Sequence, residues 1–191
     1  MQNDGEMAEK CRMGFRCFSR GGFMEELLDI YDDSGVRIGL APRRLCHGNP
    51  TLLHHTSHVI VIHPDREHLL LQKRSLSKDI QPGKWDTAVG GHLDPGEDYL
   101  AGARRELAEE LGVAGEVELR HLFDSQIRNE IESEDTRVFA IVHPGPFRFQ
   151  HEEIDEVRFW SFEELRNPAN FGEFTPNLVA ELRLFFEGNY L

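Results

Sequence analysis

The sequence predicts an α/β fold, a mixed β-sheet with helices packed on its faces. Three observations lead there. Short apolar runs bounded by turn residues outnumber helical stripes, the two kinds of segment are interleaved, and 191 residues at 39% hydrophobic content can bury a core. The length implies one compact domain. Residues 1–24 mix glycine, charge and isolated aromatics without any period and read as a flexible tail, which leaves 25–191 for the domain.

Taken in order, Leu27–Tyr31 and Val36–Leu40 flank Asp32-Asp33-Ser34-Gly35 and predict a hairpin. His58–Ile62 and His68–Gln72 are apolar runs joined by Pro64-Asp65-Arg66-Glu67, the pattern of two buried strands and a turn. Further strands are expected at Trp85–Val89, Val117–Phe123, Thr136–Val142 and Val157–Trp160. Tyr99–Leu111 carries Leu100, Ala103, Leu107 and Leu111 on one stripe with Gly112 as its stop, so it reads as an amphipathic helix. Ser161-Phe162-Glu163-Glu164 is a capping box that opens a short helix, and Thr175-Pro176 caps a last helix running to about Glu187. Trp85, Phe139, Phe159 and Trp160 are expected in the core, and Phe185 and Phe186 should anchor the final helix.

Composition narrows the function classes. The chain has 34 acidic and 21 basic side chains, a net charge of −13 that repels phosphate backbones and anionic lipid surfaces. Neither nucleic acid nor a membrane is therefore an expected partner. No run approaches the roughly 18–20 apolar residues of a membrane span, and the first twenty residues lack a signal-peptide core, so the cytoplasm is the expected location. Three cysteines, Cys11, Cys17 and Cys46, offer no disulfide framework.

The chemistry concentrates in Gly91-His92-Leu93-Asp94-Pro95-Gly96-Glu97 and the helix that follows it, through Arg105-Glu106-Leu107-Ala108-Glu109-Glu110-Leu111-Gly112-Val113. Glu106, Glu109 and Glu110 stand at i, i+3 and i+4 and so share one helix face. Like charges at that spacing repel, whereas hard divalent cations with oxygen ligands convert the repulsion into coordination. A lone Glu-x-x-Glu-Glu on a helix is ordinarily a solvated face. The joint spacing of glycine, glutamate, arginine, three carboxylates and flanking aliphatics overrides that reading, because chance would produce it on the order of once in a billion windows.

These residues resemble the Nudix box, Gly-x5-Glu-x7-Arg-Glu-U-x-Glu-Glu-x-Gly-U with U aliphatic, at every specified position. The resemblance implies an α/β/α sandwich around a mixed sheet and metal-dependent hydrolysis of a diphosphate linkage in a small molecule, with Mg²⁺ or Mn²⁺ required. It also implies that Glu106, Glu109 and Glu110 hold metal, that Arg105 pairs with Glu97, and that Gly90 and Gly91 supply backbone contacts. Water is the expected nucleophile. The general base is left open among Glu106 and the loop acids Glu132, Glu134, Glu152 and Glu153.

Lys73-Arg74-Ser75-Leu76-Ser77-Lys78 is a basic loop in an acidic chain, and Arg74 and Lys78 suit phosphate oxygens. The loop is similar to that of isopentenyl diphosphate isomerases, a specialised branch of the superfamily. That resemblance implies a further metal site built from His47, His54, His92, Glu132 and Glu134, with imidazole donors suiting a transition-metal ion. Two departures oppose isomerase chemistry. Gly90 stands where the isomerases carry a catalytic cysteine, and the hydrolytic box, degraded in isomerases, is intact here. The expected function is thus hydrolysis of a nucleoside diphosphate or related small diphosphate; the alternatives are isomerase-like activity and a non-catalytic diphosphate-binding module.

Overall fold

The computed structural model describes residues 25–78, 80–188 and 190–191. The tail expected at 1–24, with Cys11 and Cys17, lies outside the described residues. Strands β1 (Leu27–Tyr31) and β2 (Arg37–Pro42) form the first hairpin, followed by a single helical turn, α1 (Arg43–Cys46). Then come β3 (Leu53–Ile62), β4 (His68–Arg74), β5 (Trp85–Thr87), β6 (Val89–His92) and helix α2 (Tyr99–Leu111). The remainder is β7 (Arg120–Arg128), β8 (Ser133–Val142), β9 (Ile154–Ser161), α3 (Phe162–Arg166), a 3-10 segment (Pro168–Glu173) and α4 (Pro176–Glu187).

The nine strands form one mixed sheet. β3 is its axis. It runs parallel to β8 along its whole length, from Leu53 beside Ser133 to Ile62 beside Val142. It is also antiparallel to β1 at Leu53, to β6 from Thr56 to Val59 and to β4 at Val61 and Ile62. Alternation along β3 divides the core. Ile60 and Ile62 join Leu69, Leu71, Trp85, Trp160, Leu178, Leu182 and Phe185 on the α4 face. Val59 and Val61 join Leu70, Val89, Ala103, Leu107, Leu111, Phe139 and Ile141 on the α2 face. The period of two in a strand thus gives an α/β/α sandwich directly.

Local signals placed the helix ends. Gly112 takes the left-handed conformation, φ 69°, that a stop at the end of α2 demands, and its N–H bonds back to Ala108. Asp98, not singled out from the sequence, caps the start of α2 by accepting from Ala101 N–H. Ser161 and Glu164 form the expected capping box of α3, and the Thr175 hydroxyl accepts from Leu178 N–H to open α4. Trp85, Phe139 and Trp160 are buried, while Phe159 and Phe186 are partly buried at the edges of the two clusters.

Two strand expectations are corrected. Trp85–Val89 is not one strand: the chain changes neighbour at Ala88, so β5 pairs with β4 and β6 with β3. The strand expected at Val117–Phe123 begins at Arg120 and continues to Arg128, because β8 offers partners from Ala140 back to Ser133 and that pairing holds polar residues in extended form. Among the described residues no helix is long and apolar enough to cross a membrane.

Candidate active site

The box folds as a strand end, a loop and the helix α2. Arg105 is its lock: Nη2 and Nε donate to the two oxygens of Glu97 at 2.8 and 3.1 Å, Nη2 also reaches the carbonyl of His92 at 2.9 Å, and Nη1 donates to Glu106 at 2.6 Å. Glu97 also accepts from Asp94 N–H at 2.9 Å, which closes the loop on itself. Burial opposes the arginine's charge, but bonding to Glu97 and Glu106 outweighs it and raises the guanidinium pKa.

The three box carboxylates are not a solvated face. Glu110 is buried, Glu106 is mostly covered, and only Glu109 keeps substantial exposure. Burial first, and repulsion from Glu106 second, push Glu110 up to about 8, against the bond it accepts from Gly90 N–H at 3.2 Å. Glu106 is also raised by burial. A cation placed among them would relieve both costs, and hard divalent ions are the cations that carboxylate oxygens select. Gly91 has no room for a side chain, since an added Cβ would lie 2.2 Å from the Glu106 carboxyl. The residues present therefore fit Mg²⁺ or Mn²⁺.

The helix face opens on a cavity of about 810 Å³, lined by Glu106, Glu109, Glu110, Gly90 and Gly91 and also by Arg74, Lys78 and Glu153. Arg74 is steadied by Asp86 at 3.1 Å and by the carbonyl of Ile80, and Lys78 by Glu153 at 2.8 Å. Two basic side chains thus line this cleft of an acidic chain. Of the loop acids considered as a base, Glu153 lines the cavity, whereas Glu152 does not. Glu134 is taken up by histidines.

Register assembles that histidine cluster. β3 sets His54 beside Glu134 of β8 and Thr56 beside His92 of β6, and the turn after α1 delivers His47. One ligand atom from each of His47, His54, His92 and Glu134 lies within 4.8 Å of the other three. His54 Nε2 is 3.2 Å from Glu134 Oε1, and the Nε2 atoms of His47 and His92 are 3.0 Å apart. Burial and the neighbouring His92 charge push His47 down to about 4, while Glu134 and Glu26 overcome burial to push His92 up to about 9. Bonds from His54 and His92 hold Glu134 below the usual carboxylate range despite burial. A proton on either of the two Nε2 atoms satisfies that contact. His47 Nδ1 is buried without a partner among the described residues. Three imidazoles and a carboxylate form a donor set that suits a transition-metal ion.

Glu132, the fifth residue expected here, lies outside this close group. It is buried and lines the same cavity, but its side chain is turned to Asn129 Nδ2 at 3.4 Å. It precedes β8, so the i, i+2 alternation that would aim it with Glu134 does not apply. Glu26, which meets His92 Nδ1 at 3.2 Å, was missed; it stands before β1 with nothing local to mark it.

A NUDIX domain model matches residues 53–182, and the chain belongs to that family. It is 39% identical over 168 residues to an uncharacterized Nudix hydrolase of Yersinia pestis, covering 86% of this chain and 87% of the relative. The uncharacterized Nudix hydrolase YfcD of Escherichia coli K12 is 34% identical, with 86% and 88% covered. The fold is similar to that of DR0079 from Deinococcus radiodurans, with a TM-score of 0.69 at 23% identity over 83% of this chain and 98% of that one. With fold, box and relatives in agreement, the enzyme class is that of a Nudix hydrolase.

Proposed function

We propose that the enzyme hydrolyses a diphosphate linkage in a nucleoside diphosphate or related small diphosphate, with Mg²⁺ or Mn²⁺ held by Glu106, Glu109 and Glu110. The observation that carries the reading is that the buried carboxylate face of α2 opens on the same cavity as Arg74 and Lys78. Divalent ions bound there would neutralise charge on non-bridging phosphate oxygens and favour deprotonation of the attacking water. The chain's own residues do the rest. Arg105, clamped by Glu97, holds Glu106 and the preceding loop in place; Gly90 N–H fixes Glu110; Arg74 and Lys78 hold the phosphate that is not attacked. Glu106 and Glu153, both lining the cavity, are the proposed acceptors of the proton from water.

A kinship with the isomerase-like branch is part of the proposal, supported by the convergence of His47, His54, His92 and Glu134, which would hold a transition-metal ion. Gly90 offers no group to add or remove a proton at carbon, so the chemistry proposed is attack at phosphorus. The test follows phosphate and pyrophosphate release, with Mg²⁺ and separately Mn²⁺, from nucleoside di- and triphosphates, nucleotide sugars, dinucleoside polyphosphates, CoA and isopentenyl diphosphate. Metal-dependent release from one class, lost in Glu109→Gln and Glu110→Gln, is the expected result. Isomerised isopentenyl diphosphate without phosphate release would replace this reading with the isomerase.

A further inference from the structure

Behind the box strand lies a buried pair of charged groups that the chemistry above does not use. His58 of β3 faces Gly90 of β6, and its Nδ1 is 2.5 Å from Glu181 Oε1 on α4. The other Glu181 oxygen accepts from the Thr87 hydroxyl at 2.6 Å, so this carboxylate, 2% exposed, is fixed at both ends. Nδ1 is thereby committed to Glu181. Nε2 has no partner among the described residues, and the ring lines the main cavity. It stands about 13 Å along β3 from His54, and of the histidine cluster only the Glu134 charge acts on it.

Gly90 is what makes room for it. A Cβ at that position would lie 2.9 Å from His58 Cδ2 and 3.0 Å from Nε2. The volume that a side chain at position 90 would claim is thus occupied by an imidazole reaching in from the neighbouring strand. Gln72, Asp86, Thr87, Thr175 and Asn177 complete this wall of the cavity, all polar. The Asp86 charge is already matched by Arg74 at 3.1 Å, and its other oxygen accepts from Thr175 at 2.7 Å. An incoming anion therefore meets two cation-forming groups, Arg74 and His58, each seated on its own carboxylate.

We propose that His58 is a substrate-binding residue of this active site, donating from Nε2 to an oxygen of the substrate phosphate that is not attacked. The inference rests on the diphosphate-hydrolase reading and deepens it. Burial works against a charged ring here, yet Glu181, with Asp86 and Glu134 at longer range, pushes His58 up to about 9, which keeps a proton on both nitrogens at neutral pH. Glu181 is a positioning residue in this scheme: it holds the ring and its charge without touching substrate.

The experiment measures kcat and KM for the best diphosphate substrate with Mg²⁺, together with calorimetric binding of methylenediphosphonate, a diphosphate analogue whose carbon bridge cannot be hydrolysed. Both are run on the wild type, His58→Gln, His58→Phe, Glu181→Gln and Gly90→Ala, each with a melting curve. His58→Phe should raise KM and weaken methylenediphosphonate by about 10- to 100-fold with kcat little changed, the loss expected for one hydrogen bond to a charged group. His58→Gln keeps a donor and should lose less. Gly90→Ala, which displaces the ring but also lies beside Glu110 through its N–H, should shift KM in the same direction and lower kcat as well. Wild-type KM and binding in a folded His58→Phe, alone or combined with Glu181→Gln, would overturn the assignment. Equal loss of kcat in all variants, following their melting temperatures, would also overturn it in favour of a purely structural pair. A wild type that cleaves no diphosphate would instead remove the hydrolase reading, and this inference with it.

Discussion

Gly91→Ala is the most exacting test of how the box is built. The residue lies in β6, opposite Ser57 of β3, where an alanine can adopt the backbone. Space is the obstacle. An added Cβ would lie 2.2 Å from both Cδ and Oε1 of Glu106 and 2.7 Å from its Cγ. Carbon contacts settle at roughly 3.5 Å, so the carboxyl must retreat by more than about 1 Å. It cannot simply swing away, because Oε1 accepts from Arg105 Nη1 at 2.6 Å and the side chain is only 14% exposed. A displacement near 1 Å within a catalytic constellation costs on the order of 100-fold in rate. Overpacking should add about 1–3 kcal/mol of destabilisation. The assay is initial-rate phosphate release at saturating substrate and Mg²⁺, with melting curves in parallel. Gly39→Ala, where an added Cβ meets nothing within 4 Å, serves as the control. A folded Gly91→Ala enzyme with wild-type kcat would refute the placement of Glu106 against the box strand as a requirement of catalysis.

Other expectations follow from the same geometry. Protein produced in metal-replete medium and washed free of loose ions should retain about one transition-metal ion per chain by elemental analysis, and His92→Ala should lose most of it; an ion-free wild type would refute the histidine site. The His58–Glu181 pair should make stability depend on pH in the alkaline range. The folded-state value of His58, about 9, stands above its unfolded value, so the stabilisation is complete below about pH 6.5 and is lost as pH rises through 9. The loss is at most on the order of 3 kcal/mol, and the gap in melting temperature between the wild type and Glu181→Gln should narrow from pH 6.5 to 10; a constant gap would contradict it. Phe185→Ala should cost about 3–5 kcal/mol in denaturant unfolding, because this ring, 2% exposed, joins α4 to the sheet. A loss under 1 kcal/mol would show α4 to be held by other contacts.

The sequence alone carried whatever depends on near neighbours along the chain. The stop at Gly112, the caps at Ser161 and Thr175, the helix over Tyr99–Leu111 and its shared carboxylate face follow from a period of 3.6 and from orphaned backbone groups, and these act within a few residues. The pairing of Arg105 with Glu97, eight residues apart, was legible through the box resemblance. Tertiary structure decided what depends on strand neighbours. Parallel pairing of β3 with β8 joins residues eighty apart, and no periodicity specifies it, yet that register places His54 against Glu134 and leaves Glu132 outside the group. The break at Ala88 belongs to the same class, since it is the change of partner from β4 to β3 that divides the expected strand in two. The buried Glu181 shows the limit most sharply. Along the sequence it is one more acid on an amphipathic helix; across 123 residues it meets a histidine in the space left by a glycine, and burial turns that meeting into chemistry.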